Sequence, residues 1–229
     1  MMWMKKTKAV VFDLDGTLLN TINDITDSLN MALAEINETP FSVDEVKHFV
    51  GSGVDVLISR MIAAKDLNIG LFDFIKQAYL RYYTVYRTMT TAPFAGIPEL
   101  LKHLVAGQIS VNVLSNKPEA DTEPIIGRFF PDVRFGVIMG KRKEFPIKPD
   151  PKSVMHLLDT IDVRPEKALY VGDSEPDILT ARNAGIESVG VLWGYRSREK
   201  LLAAGADNIV EKPEDILTII KTREQRNDN

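Results

Sequence analysis

The sequence predicts an α/β protein: a Rossmann-like parallel sheet with an α-helical unit inserted near its start. Three observations lead there. The apolar run Ala9-Val10-Val11-Phe12 is short and ends near Gly16, the pattern of a strand buried on both faces. Residues 21–91 carry only helical periodicity. From Pro98 onward strands and single helices alternate, which implies parallel pairing through right-handed crossovers.

Thr21 is the expected N-cap of the first helix, with Asp24 at its third position. Ile22, Ile25, Leu29, Leu33 and Ile36 recur at three- and four-residue spacing until Pro40 breaks the run. Ser42-Val43-Asp44-Glu45 has the form of a capping box and opens a short helix through Val50. Gly51-Ser52-Gly53 follows, either as a helix-to-helix turn or as a loop whose backbone approaches a ligand. Val54, Leu57, Ile58, Met61 and Ile62 mark another amphipathic helix, and a longer one carries Tyr79, Tyr82, Tyr83 and Tyr86 on one stripe. That stripe reads as helix–helix packing.

Beyond Pro98 a helix runs to Gly107. Strands are expected at 109–114, 135–139, 168–171, 188–192 and 209–210. The helices between them are expected at 120–130, 150–161, 176–185, 197–205 and 214–221. The charged tail 222–229 and the start around Trp3 are expected to be frayed. The organisation that follows is an α/β core of residues 1–20 and 92–229 around a helical insert of residues 21–91.

Composition narrows the function. The 229 residues are 45% hydrophobic and 26% charged, ordinary for a globular chain. A net charge of −4 gives no nucleic-acid or anionic-membrane footprint. No apolar run approaches membrane-spanning length, and the first residues lack a signal-type apolar region. With no cysteine, disulfides, thiolate metal sites and a cysteine nucleophile are excluded, and a reducing compartment fits. A cytoplasmic protein is expected, monomer or homodimer, with neither nucleic acid nor membrane as partner.

Ligands of such sheets bind beyond the carboxyl ends of the strands. Three strand ends here carry polar chemistry: Asp13 and Asp15, Ser115 and Asn116, and Asp173. The ends at Met139 and Leu192 do not. Asp13 and Asp15, two apart, point the same way from a strand end, and like charges at the edge of a core call for a cation. An oxygen-only donor set favours Mg²⁺. Lys148 reaches in from a loop, and Asp177, one turn into a helix, orients Lys148 or the metal's waters. Carboxylates with Mg²⁺, a lysine and neutral donors suit phosphoryl transfer, in which an aspartate serves as nucleophile and its neighbour as acid and base.

These residues resemble a known family. Asp13-Leu14-Asp15-Gly16-Thr17 is similar to the first motif of the haloacid dehalogenase-like superfamily. Ser115, Lys148-Pro149 and Gly172-Asp173-Ser174-Glu175-Pro176-Asp177 match its second, third and fourth motifs in order. Residues 88–96 and Trp193-Gly194-Tyr195-Arg196-Ser197 resemble the phosphoglycolate phosphatase-like branch. The resemblance implies a Mg²⁺-dependent phosphomonoester hydrolase acting on a small phosphorylated metabolite such as phosphoglycolate. Asp13 is implied as nucleophile and metal ligand, and Asp15 as acid/base with its backbone carbonyl on the metal. Asp173 is implied as the third metal ligand, Ser115 and Asn116 as phosphate donors, and Lys148 as the neutralising cation. Thr17 is implied to steady the first loop beside the phosphate, Asp177 to support Lys148, and the helical insert to be a cap whose Gly51 and Gly53 face the substrate. Asn20 stands where many relatives carry Asp, at the entry to that insert.

A phosphomutase on a sugar phosphate, or a pyrophosphatase, uses the same scaffold. A phosphoacceptor signalling module shares the acids, Mg²⁺, hydroxyl and lysine, but this chain is long for one. Haloalkanoate dehalogenation has no use for Asp15, Asp173 or a metal. His48, His103 and His156 read as structural or surface residues, and Lys141-Arg142-Lys143 as a solvated loop. Lys117 stands near the mouth of the site or opens a helix, and no partner for Arg196 is identifiable from sequence.

Overall fold

Both faces of Ala9–Phe12 (β1) are fully buried, and this decides the architecture. In the computed structural model, which describes residues 6–225, the chain continues as β2 (Leu19–Asn20) and four helices. These are α1 (Ile22–Ala34), α2 (Val43–Lys47), α3 (Val54–Ala64) and α4 (Phe72–Tyr86). It returns through β3 (Ala92–Pro93) to α5 (Ile97–Ala106), β4 (Ser110–Pro118), α6 (Glu119–Phe129), β5 (Ile138–Lys141) and α7 (Lys152–Thr160). Then come β6 (Ala168–Gly172), α8 (Glu175–Asn183), β7 (Glu187–Val191), α9 (Arg198–Ala203), β8 (Asn208–Val210) and α10 (Asp215–Gln225).

Six strands form one parallel sheet in the order β5-β4-β1-β6-β7-β8. The expected α/β class with a parallel sheet is borne out. Period-two alternation splits β1 between two layers. Val10 and Phe12 pack with Leu100, Ile125 and Ile216 of α5, α6 and α10, while Ala9 and Val11 pack with Val154 and Leu157 of α7. Each large side chain buried in this way stabilises the fold by about 1.5–3 kcal/mol. The strand order reverses at β1, with β4 on one side and β6 on the other, so a crevice opens beyond its carboxyl end.

Helices α1–α4 bury a separate apolar cluster that includes Leu29, Ile58, Met61, Ile75 and Tyr79. The two chain crossings into this unit pair with each other: β2 and β3 form an antiparallel ribbon, Leu19 opposite Pro93 and Asn20 opposite Ala92. Two-residue strands carry no periodicity, which is why the sequence did not announce them.

Several local expectations shift. Thr21 makes no side-chain cap bond: its backbone is helical and not extended (φ −104°, ψ −1°), and its N–H donates to the Tyr195 hydroxyl at 3.0 Å. Asp24 leaves the helix end and accepts from the backbone and hydroxyl of both Thr90 and Thr91, at 2.6–2.9 Å. The Ser42–Glu45 capping box is present, but α2 ends at Lys47. β4 runs past 114 to Pro118, carrying Ser115, Asn116 and Lys117 on the strand itself. α10 continues to Gln225 because Arg223 is buried, donating to the Glu166 and Ala168 carbonyls and pairing with Glu187. Trp3 and residues 226–229 lie outside the described residues.

Asp24 is 1% exposed and answers four donors that hold the outgoing and returning crossings together. Asp24→Ala strands those donors, and a loss of about 2–4 kcal/mol is expected in urea unfolding. A change under 1 kcal/mol would show that the ribbon holds without it.

Candidate active site

Asp13 extends the ladder of β1: its N–H donates to the Val171 carbonyl at 2.9 Å, which fixes the carboxylate over the switch point. The chain then turns tightly, with the Leu14 carbonyl accepting from Leu18 and Leu19 at 3.0 Å. Gly16 sits at φ 89°, and a Cβ there would lie 2.4 Å from the Asp173 carboxylate, so only glycine fits. The backbone of the first loop is thus pressed against the acid at the end of β6.

Lys148 joins the two halves. Its ammonium is 2.7 Å from Asp13 Oδ1 and 2.6 Å from Asp177 Oδ1, with its side chain 1% exposed. Asp177 is held in turn by the α8 capping box, where Ser174 donates through backbone and hydroxyl to Oδ2. Asp173 accepts from the Thr17 hydroxyl at 3.2 Å and from the Tyr195 N–H at 2.8 Å. One carboxylate oxygen from each of Asp13, Asp173 and Asp177 lies within 4.8 Å of the others, and all three residues are buried.

Three buried acids against one lysine leave excess negative charge. Burial, then the Asp177 carboxylate, pushes Asp13 well above the usual carboxylate range, with Lys148 pulling the other way. Asp173 is pushed up to about 7 by burial and by Asp177. Burial works against the Lys148 ammonium, but Asp13 and Asp177 outweigh it and hold the lysine charged. An oxygen-only cluster short of positive charge fits a small hard divalent cation. Lys148 pairs with Asp13 and Asp177, whereas the donors on Asp173, the Thr17 hydroxyl and the Tyr195 N–H, are neutral, so positive charge is most lacking on the side of Asp13 that faces Asp173.

The other expected residues divide. Ser115 lines the cavity above Asp13, and its Oγ accepts from the Lys117 N–H at 3.2 Å. Asn116 also lines it, but its side chain is committed: Nδ2 donates to the Gly51 and Lys148 carbonyls, and Oδ1 accepts from the Lys148 N–H at 2.8 Å. Its amide thus positions the two loops beside the cavity. Thr17 is fully buried with its hydroxyl on Asp173, which steadies the first loop and keeps it from the cavity. Gly51 and Gly53 both line the cavity. The Asp15 carboxylate stands outside the acid cluster; its Oδ2 is 2.9 Å from the Lys117 ammonium, and its Oδ1 is buried without a hydrogen bond.

Sequence reasoning did not assign Lys117, Tyr83 or Arg196 their places. Lys117 is buried, paired with Asp15, and donates to the Tyr83 hydroxyl at 2.6 Å. Arg196 ion-pairs with Glu175 at 3.0 Å and donates to the Lys47 and Val50 carbonyls, tying the end of α2 to the loop after β7. Its Trp-Gly-Tyr-Arg surroundings were visible, but carbonyl acceptors leave no mark in a sequence. Tyr79 and Tyr83 of the aromatic stripe are packed between helices as expected, and both also face the cavity.

A family model described as haloacid dehalogenase-like hydrolase matches residues 10–191. The chain belongs to the haloacid dehalogenase-like hydrolases. This hydrolase is 37% identical to the phosphoglycolate phosphatase of Rhodospirillum rubrum, over 87% of its own length and 85% of that protein's. It is 30% identical to the phosphoglycolate phosphatase of Pasteurella multocida, over 95% of its own length and 100% of that protein's. A solved structure from Lactobacillus delbrueckii subsp. bulgaricus superposes with a TM-score of 0.90 at 31% identity, covering 94% of this chain and 98% of that one. That of a predicted phosphoglycolate phosphatase from Haemophilus somnus gives 0.87 at 31% identity, covering 95% and 99%. The hydrolase therefore stands on the phosphoglycolate phosphatase-like branch and is an enzyme of the phosphatase kind. Among the described residues no helix is long and apolar enough to cross a membrane.

Proposed function

We propose that this hydrolase cleaves the phosphate monoester of a small metabolite, phosphoglycolate being the leading candidate, in the cytoplasm and with Mg²⁺. The observation that carries the reading is the buried Lys148, which bridges Asp13 and Asp177 beside Asp173 at the switch point of the sheet.

Asp13 Oδ attacks phosphorus; the Asp13 O–P bond forms and the P–O ester bond breaks. Asp15, two residues on, gives its proton to the departing ester oxygen. It then takes a proton from water, whose oxygen attacks phosphorus and returns Asp13 to its carboxylate. Ser115 offers its hydroxyl to a phosphoryl oxygen, and Lys148 neutralises charge on Asp13 and the phosphate. Asp13, Asp173 and the Asp15 backbone carbonyl would hold Mg²⁺, which neutralises phosphoryl charge when bound. Helices α1–α4 act as a lid: Tyr79, Leu80 and Val54 wall the cavity and exclude stray water.

Phosphate release from a panel of phosphate monoesters, with MgCl₂ or EDTA, tests the reading. Multiple turnover abolished by EDTA is expected; a stable, stoichiometric phosphoprotein would instead mark a switch. Isomerised sugar phosphate without phosphate release would mark a mutase.

Metal binding has a second signature. Asp173 has a folded pKa of about 7, above its unfolded value, so its ionisation destabilises the metal-free fold. That cost is present above pH 7 and is relieved as pH falls. The EDTA-treated protein should melt higher at pH 5.5 than at pH 8, as far as Asp173 governs, and Mg²⁺ should raise Tm far more at pH 8. Equal Mg²⁺ shifts at both pH values would remove the acid cluster as the binding site.

A further inference from the structure

Of the charged groups lining the cavity the proposed hydrolysis uses Asp13 and Asp15; Asp121 is paired with Arg87, and Lys117 is left without a role. This lysine and Ser115 are two residues apart on β4, and both line the cavity. The Lys117 ammonium lies over the Tyr83 ring, 4.7 Å from its centroid, and donates to that ring's hydroxyl. On its other side stands Asp15. An ammonium has three N–H donors, and these two partners leave one.

The rest of the wall carries no positively charged side chain. Ile25, Val50, Val54, Leu57 and Leu80 come from the helical unit and are apolar. Asp13, Asp15 and Asp121 repel negative charge, and Lys117 is the cation among the residues lining this cavity. An anionic group buried there without a cation would be strongly disfavoured. The Ser115 Oγ accepts from the N–H of Lys117 itself at 3.2 Å, so hydroxyl and lysine arise from one short stretch of β4 and can serve the two ends of one small molecule, a phosphate at Ser115 joined through one or two carbons to a carboxylate at Lys117.

We propose that Lys117, steadied by Tyr83, binds a carboxylate one or two carbons from the ester oxygen of the substrate and thereby sets the preference among phosphate monoesters. The inference rests on the phosphomonoesterase reading and names the residue that selects within it. Esters bearing only an alkyl group fit the apolar wall but forgo this contact.

The test compares kcat/KM for phosphoglycolate and for ethyl phosphate, which lacks the carboxylate, using the full chain with Mg²⁺. Wild-type protein should prefer phosphoglycolate. Lys117→Met should lower the phosphoglycolate/ethyl phosphate ratio about 100-fold, since any loss through Asp15 falls on both esters and cancels. Tyr83→Phe, a gentler change should the first variant fold poorly, should lower the same ratio about fivefold. Lys143→Ala, an exposed cation outside this cavity, should leave the ratio unchanged. A ratio unchanged in both Lys117→Met and Tyr83→Phe, or lowered equally in Lys143→Ala, overturns the inference. Wild-type protein that hydrolyses both esters without preference, or that hydrolyses other monoesters of the panel but not phosphoglycolate, overturns it alone; protein that hydrolyses no member of the panel overturns the phosphomonoesterase reading as well.

Discussion

Asp13→Asn is expected to reduce phosphate release by about 10⁴-fold or more, because the amide cannot form the bond to phosphorus. The fold should survive. Asp13 is buried beside two other acids, and its ionised form is opposed first by burial and then by Asp177. Neutralising it removes that repulsion while Lys148 keeps Asp177 at 2.6 Å. Without metal at pH 8, Asp13→Asn should therefore melt at or above the wild-type temperature. Loss of turnover accompanied by a large fall in Tm would make Asp13 a structural acid, and turnover near wild type would remove it as nucleophile.

Lys148→Met is expected to act on both activity and stability. Activity should fall about 10³-fold or more as the phosphate and Asp13 lose their neutralising partner. The ammonium is buried between two carboxylates, so its removal leaves Asp13 and Asp177 without their cation. Breaking a buried pair from one side costs about 3–5 kcal/mol. The cost falls in part on ionised Asp13, whose folded pKa burial and the Asp177 carboxylate already hold well above the usual carboxylate range. It should be greatest at pH 8 and shrink toward pH 5.5 as Asp13 protonates. Urea unfolding at the two pH values measures it; a deficit independent of pH would place the effect in packing.

The parallel sheet was legible because β1 is an uninterrupted apolar run and the later strands are spaced by single helices. Asp13, Asp15 and Asp173 were grouped in the sequence because they sit where strands end, with Asp177 in support at a helix start, and topology gathers such places at one edge; the structure clusters Asp13, Asp173 and Asp177, while the Asp15 carboxylate turns to Lys117. Partners remote in sequence were not. Asp24 sits at a helical position that suits a capping acid, yet its donors, Thr90 and Thr91, are 66 and 67 residues away. Lys117 gave no sign of Asp15 or Tyr83, since one lysine after a strand is compatible with many surroundings. That the Asn116 amide spans two backbone loops was not legible either, a use of Asn that leaves no pattern. The charged residues of 222–225 suggested fraying, but Arg223 snorkels to carbonyls under the sheet and carries the last helix with it.

The ribbon Leu19–Asn20 with Ala92–Pro93 has an evolutionary consequence. Departure and re-entry occur through one doorway, side by side, so excising the intervening stretch leaves only a short gap to rejoin. Recombination at those two points can replace the whole cassette with another while Asp13, Lys148 and Asp173 stay in register, because none of them is carried on it. Diversification of what is accepted is thereby uncoupled from preservation of how it is cleaved.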